Sequence, residues 1–419
     1  MLSRLSGLAA AACAVLACAS DSTTAWQGSI SDSAGVTIVQ NPTQPLWRPD
    51  ETWTLTEELR IGTAEGEPEY QFGQIPASPG VAALAVGSDG RIVVLDQQAQ
   101  HLKVFGPQGA YERTIGGPGG GPGEIGPGVS AVVVSTGDTL LVSDIGNQRA
   151  NLYTLDGTYV RSFPLSFADG IPFRWESSED GRIVAQLRRI AFPGSTAPPD
   201  SMDVIAVRNL DGSVGDTLML VPSGKTFSFA SGAPEFNFFS AEPSWTLAGD
   251  RIAYGVNSEY RIGLYTTGGR LERVLLRPFE RDPVASDDQD AIKDLLGTAW
   301  RDAGVPPQQI DQLMQGVHFA ETYPAYAQIK ATPDGTVWVQ RLQAPSKLTP
   351  EEREGFNPVF DLGSREWDVF DEEGRYLGVV TTPPRFMPVC MLGHAIYGVQ
   401  RDELDVQYVV KLTIDGLGG

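Results

Sequence analysis

Two stretches of the chain repeat one another part for part. Residues 81–115, VAALAVGSDGRIVVLDQQAQHLKVFGPQGAYERTI, and residues 129–163, VSAVVVSTGDTLLVSDIGNQRANLYTLDGTYVRSF, each hold four short β-type runs. The runs are cut by turns at Asp89-Gly90, 106–109, Gly137-Asp138 and Asp156-Gly157, the residue types that tight antiparallel turns select. Such a sheet exposes two apolar faces and must stack on copies of itself to bury them.

Further copies follow. A third covers 171–221, with SSEDGRIVAQL and, after a proline-rich insertion near 197–199, MDVIAVRNLDGSVGDTLML. The fourth is WTLAGDRIAYGVNSEYRIGLYTTGGRLERVLL, 245–276. A fifth begins at AQIKATPDGTVWVQRL and resumes after an insertion at about 344–363 as REWDVFDEEGRYLGVVTT. The sixth, MPVCMLGHAIYGVQRDELDVQYVVKLTI, supplies only three strands before the chain stops. TWTLTEELRIG, residues 52–62, supplies the fourth. The expectation is an all-β, six-bladed β-propeller over 52–415, with the N- and C-terminal segments closing one blade and a 416–419 tail.

The motifs IGGPGGGPGEI (115–125), DGRIVVLD (89–96), HLKVFGPQG (101–109) and LLVSDIGNQRANLYTLDG (140–157) resemble the repeats of NHL-like six-bladed propellers, in particular bacterial secreted members of unassigned role. IGTAEGEPEYQFGQI (61–75) repeats the Gly and acidic pattern ahead of a blade. The resemblance implies an architecture and leaves activity open, because this fold hosts binding, lyase, lactonase and scaffold functions. Propeller lyases of similar shape imply a zinc held by histidines from separate blades. The histidines here, His101, His318 and His394, show no ligand spacing and read as ordinary residues. Calcium lactonases of the gluconolactonase type imply Glu, Asn and Asp around a central metal, which Asp96, Asp144 and Asn257 would imitate with calcium as the cation.

At the N-terminus, Arg4 precedes a small and apolar run to Cys18, too short to span a bilayer. This reads as a signal peptide over 1–17. Val15-Leu16-Ala17-Cys18 resembles a bacterial lipobox, implying lipid attachment at Cys18; ordinary cleavage after Ala19 is the alternative. Residues 18–51 then form a tether and lead-in, polar through about Ser33. Ala19 after the cysteine suits sorting to the outer membrane where a cell has two. Only Cys390 stays in the folded body, so the core rather than disulfides must hold it. A net charge of −21 argues against nucleic acid and leaves the N-terminal lipid as the membrane contact.

Candidate sites are few. The glycines and prolines of 116–128 lack a Gly-Lys-Ser/Thr ending and read as an inter-blade crossover, not a phosphate loop. No GxSxG occurs, Cys390 reads as a small buried hydrophobe, and no catalytic residue is assigned. One set recurs just after the second strand of successive blades: Asp96, Asp144, Arg188, Asn257, Arg341 and Arg401. Either these converge on one end of the channel and bind a ligand, or they are structural ion pairs ordering the loops. Residues 286–316 break the β-pattern: Ser286 and Gln289 suggest a capping box, Ile292, Leu295, Leu296, Ala299 and Trp300 one apolar face, and Ile310, Leu313 and Met314 a second short helix. This insertion is expected to be a lid, a partner dock or packing against a blade edge.

The functional expectation is an envelope binding or scaffold protein for a protein, peptide or carbohydrate partner, without a cofactor; the alternative is a metal-dependent hydrolase or lyase with its site in the channel. For the anchor, Cys18→Ser is expected to abolish palmitate incorporation and move the protein out of the membrane fraction. Unchanged labelling would contradict it.

Overall fold

The computed structural model describes residues 26–416 apart from 77–79, 167–169, 179, 189–201, 229–233, 354–355 and 357–360. The signal peptide, Cys18 and the prolines near 197–199 lie outside the described residues.

Six antiparallel sheets follow one another as blades. The first comprises Leu84–Val86, Ile92–Asp96, His101–Phe105 and Tyr111–Ile115, and the second Val129–Ser135, Thr139–Asp144, Arg149–Thr154 and Tyr159–Pro164. The third holds Ile171–Ser177, Ile183–Arg188, Met202–Arg208 and Val214–Pro222, and the fourth Pro243–Ala248, Arg251–Val256, Arg261–Thr266 and Leu271–Leu276. The fifth holds Gln328–Ala331, Val337–Leu342, Gly363–Phe370 and Tyr376–Thr381. The sixth joins Phe386–Leu392, Ala395–Arg401 and Gln407–Asp415 from the C-terminus to Thr54–Ile61 from the N-terminus, with Val410 opposite Arg60 and Thr413 opposite Thr56. The first strand of each blade lines the axis.

Apolar residues alternate toward the two neighbours, so a core lies at every blade junction. Val93 and Val104 meet Val132 and Val142 between blades one and two. Leu141 and Leu152 meet Trp175 and Leu187 at the next junction. Ile205 meets Trp245, and Leu264 meets Val339 and Phe370, at the two after that. Trp338 and Trp367 meet Val410 and Leu412 between blades five and six. Val399 and Val409 meet Val94 and Phe105 where the ring closes. Gln407 adds a polar stitch there: Ile75 N donates to its Oε1 at 2.6 Å and its Nε2 donates to Ile75 O at 2.8 Å.

The lead-in differs from a plain tether. Ser29–Ser33 and Val36–Gln40 form a hairpin that adds two strands to the outer edge of blade four, Val36–Gln40 running parallel to Leu271–Leu276. The β-branched run Val36-Thr37-Ile38-Val39 suits strand pairing, and Ala34 and Gly35 take the positive φ angles of 53° and 83° that a two-residue hairpin turn needs. Asn41 then binds blade five, donating to Gly374 O at 2.9 Å and accepting from Tyr376 N at 2.7 Å.

The insertion forms α1 (Ser286–Asp302) and α2 (Pro307–Gln315). Its predicted capping box is absent: Ala285 is the cap, Ser286 is already helical, and no side chain caps the end. Ile292 and Leu296 are buried as expected, while Ala299 is exposed and Ala291 and Gly297 take buried places instead. The two helices pack on a small sheet of their own, Phe227–Ser228, Glu235–Phe238 and Val317–Phe319, through Phe238, Phe239 and Val317. Among the described residues no helix is long and apolar enough to cross a membrane.

Because the sixth blade needs both chain ends, deletion of residues 54–61 is expected to lower the melting temperature of the whole ring by more than about 10 °C. An unchanged melting curve would contradict this closure.

Candidate functional site

The six positions expected just after the second strands fall at or within one residue of the strand ends. Asp96, Asp144, Arg188 and Arg401 end their second strands, Arg341 is one residue inside the end, and Asn257 one residue beyond it. What they do there is tie loops down or pair with the neighbouring strand. Asp96 accepts from Gly73 N at 2.9 Å, Gln74 N at 3.2 Å and Ala99 N at 3.1 Å. Asp144 repeats the device in blade two, accepting from Gly126 N and Asn147 N, each at 3.2 Å, and from Asn147 Nδ2 at 2.9 Å. An added Cβ at Gly126 would sit 2.6 Å from Asn147 Nδ2 and 2.9 Å from Asp144 Oδ1, so a larger residue there would displace the side chains that make this tie.

Arg188 makes a forked pair with Asp203, at 3.0 Å from Nε and 2.8 Å from Nη2, beneath the Phe173 ring. Asn257 accepts from Glu242 N at 2.7 Å and donates to Tyr326 O at 2.8 Å. Arg341 pairs with Asp368 at 2.9 Å and Glu366 at 2.6 Å, and Arg401 with Asp361 at 3.0 Å. None of the six bonds to another of the six. The expected convergence fails for a geometric reason: a second strand stands one strand back from the axis. Nor do Asp96, Asp144 and Asn257 form a metal cage, since they sit in three blades with their polar atoms committed elsewhere. Among the described residues no group of three His, Cys, Asp or Glu side chains is placed to hold a metal ion. His101, His318 and His394 lie in blade one, the small sheet and the last blade's first turn.

The axial cavity is built instead by the first strands. It occupies about 1030 Å³ and reaches to the turns that join first and second strands. Its wall is mixed. Leu84, Val86, Val134, Met391 and Leu392 come from blades one, two and six and Trp175 and Leu247 from blades three and four, while the buried or half-buried polar groups Glu176, Thr246 and Lys330 come from blades three, four and five. Arg174, one turn of the pleat from Glu176 on Ile171–Ser177, pairs with it at 2.8 Å and lies over the Trp245 ring. Glu176 Oε2 also accepts from Thr246 Oγ1 at 3.0 Å and Leu247 N at 2.7 Å, so both of its oxygens are used. Lys330, 6% exposed, donates to Val389 O at 2.8 Å. No carboxylate pairs with its ammonium among the described residues.

Burial pushes the Lys330 ammonium down to about 8, with the Glu176 charge opposing the shift and Arg174 adding to it. Cys390 also faces this cavity rather than lying in a sealed core, and burial pushes its thiol up to about 12. These channel groups were missed in the sequence. Their signal is present as charge inside apolar inner strands, Arg174 and Glu176 in IPFRWES and Lys330 in QIKA.

A second cavity of about 810 Å³ opens between blades five and six at the opposite ends of the first strands, with Phe386, Met387 and Leu404 beside Arg60, Arg365 and Arg401. Of the six predicted positions, Arg401 lines this second cavity. No residue of 286–316 lines either space, so the helices are not a lid on the channel. They dock sideways, where the buried Asp288 carboxylate accepts from Tyr323 Oη and Ser346 N. The Gly-rich crossover is compact, its carbonyls at Gly120, Gly121 and Glu124 accepting from Arg149.

Fold and site together define a six-bladed β-propeller with a chemically uneven axial channel. Residues 84–172, the first two blades and the start of the third, match the model of a family described as 6-bladed beta-propeller. No curated protein matches the sequence. Among solved structures, a Bacteroides fragilis protein named as exported is 12% identical, with a TM-score of 0.48 over 90% of this chain and 99% of its own. Virginiamycin B lyase from Staphylococcus aureus is 13% identical, with a TM-score of 0.43 over 86% and 99%. A Xanthomonas campestris gluconolactonase is 10% identical, with a TM-score of 0.40 over 86% and 98%. Likenesses this distant carry nothing about activity.

Two outcomes follow. Asp144→Ala is expected to cost about 2–4 kcal/mol in urea unfolding by stranding buried amide donors; a loss within experimental error would contradict the tie. For Lys330, folded and unfolded states both hold the proton below about 8, and between that value and 10.5 the unfolded state holds more, so stability rises with pH across this window. Urea midpoints measured across it should show a rise in the wild type that Lys330→Met flattens.

Proposed function

We propose that the chain is an exported binding propeller of the bacterial cell envelope, NHL-like in its repeats and anchored by an acylated Cys18, that takes a small ligand into its axial channel from the face of the first turns. The observation that carries this reading is the cavity of about 1030 Å³ whose lining combines apolar groups such as Val86, Val134 and Leu392 with Glu176, Thr246 and Lys330. Its size and mixed lining suit a small organic molecule. The ring supports it by holding the six first strands in fixed relation, so the cavity is formed before any ligand arrives. On this reading the second-strand ends order the ring through the hydrogen bonds and ion pairs they make within it, and the channel ligand is held by the first strands. Lipid attachment and the polar segment after Cys18 would hold the propeller at a membrane surface, the outer one where two exist, with the channel open to the surrounding compartment.

The reading is tested on protein extracted without denaturation from the cells that make it. Native mass spectrometry is expected to find a small molecule on the wild type and none on Val134→Trp, whose indole fills the channel. The same adduct on both proteins, or none on either, would overturn it.

A further inference from the structure

Lys330 is the group in the channel that the ring does not explain. The charges beside it on blade three are matched: Arg174 with Glu176, and Glu176 further with Thr246 and the Leu247 amide. An ammonium has three donors, and the structure gives this one a single acceptor, the Val389 carbonyl. A fully desolvated lysine is costly unless it is paired, so its place in the wall of an open cavity calls for a partner that comes from outside.

The ring also says what lies across from it. Blade two stands opposite blade five, and blade one opposite blade four, so the apolar groups Val134 and Val86 face Lys330 and Thr246 across the axis. At the mouth the first turns carry half-buried Asp138 and exposed Asp180 and Asp250, with Arg182 paired to Asp180 at 3.2 Å, an excess of negative charge that disfavours a ligand with several negative charges. A single negative charge buried at Lys330 gains a charge-assisted hydrogen bond in a poorly hydrated place, where such a bond is strong.

We propose that the channel ligand is a monoanion, a carboxylate on an apolar body, with its carboxylate on Lys330 Nζ and its body against Val86, Val134 and Leu392. This inference rests on the reading of the channel as a binding site and adds the chemical class of the ligand and the residue that selects it. Lys330 thereby acts as the specificity-determining residue. The charged and titratable groups around it are Arg174 and Glu176 from blade three, Cys390 from blade six, and Asp138, Asp180, Arg182 and Asp250 at the mouth. Of these, Cys390 ionises only near 12, whereas Lys330 itself changes charge near 8. Carboxylate binding therefore takes up a proton above that value and weakens as pH rises through it.

The test uses 4-phenylbutyrate and its neutral amide as probes, titrated calorimetrically into the mature protein. The acid is expected to bind about tenfold tighter than the amide at neutral pH. Its advantage should shrink as pH rises through about 8 while the amide is unaffected. Lys330→Met should bind acid and amide alike, and Lys330→Arg should keep the preference. Equal binding of acid and amide by the wild type overturns the inference, as does a preference that Lys330→Met retains, or no binding of either probe at millimolar concentration. Should Lys330→Met fail to fold, the acid and amide comparison in the wild type and its pH dependence decide the matter alone. If both probes bind equally and Val134→Trp blocks both, the channel reading stands and only the anion preference falls.

Discussion

Each blade buries both of its faces against neighbours, and everything else in this structure depends on that mutual burial being closed into a ring. A blade alone would leave two apolar faces in water. Trp245, Trp338 and Trp367, all fully buried, show how the chain meets this demand, placing large flat side chains at junctions where two twisted sheets must interlock. Closure is made by pairing Thr54–Ile61 with Gln407–Asp415, which turns the most distant parts of the sequence into one sheet. With no disulfide available to the sole described cysteine, this sheet is the clasp.

Closure also divides labour among the strands. Second-strand ends lie where the loops that connect blades pass, and there the chain spends its strongest polar side chains within the ring: Asp96 and Asp144 on backbone amides of those loops, Arg188 and Arg341 on buried carboxylates of the neighbouring third strand. First strands have a neighbour on one edge only, and their other edge faces the axis. Side chains there are free of the loop-ordering duty, so the six blades differ most where they meet: valines in blades one and two, an ion pair in blade three, a lysine in blade five. The asymmetry of the channel is thus a consequence of divergence where the fold demands least.

Much of the architecture was legible because a blade is a local object. Four runs of strand-forming residues cut by Asp-Gly turns specify an antiparallel sheet within about forty residues, and the copies reinforce one another. Even the split sixth blade was readable, since three strands at one end and one at the other sum to a sheet. The hairpin at 29–40 was not, because its turn is Ala34-Gly35 rather than Asn-Gly and its partner lies in blade four, far along the chain. The site was half legible. The six second-strand positions were placed to within a residue of the strand ends, but their meaning depends on radial distance from the axis, which repeat alignment does not contain. Lys330 was hidden differently: in QIKA it resembles any strand lysine on a solvent face, and only the ring turns that face inward.

The central claim, that the first strands and not the loop residues hold the ligand, is tested most directly by a crystal structure with 4-(4-bromophenyl)butyrate. The account predicts the bromine's anomalous peak on the axis beside Val134 and Val86, with the carboxylate within hydrogen-bond distance of Lys330 Nζ. A peak confined to the cavity between blades five and six, or at the outer loops tied by Asp96 and Asp144, would contradict it.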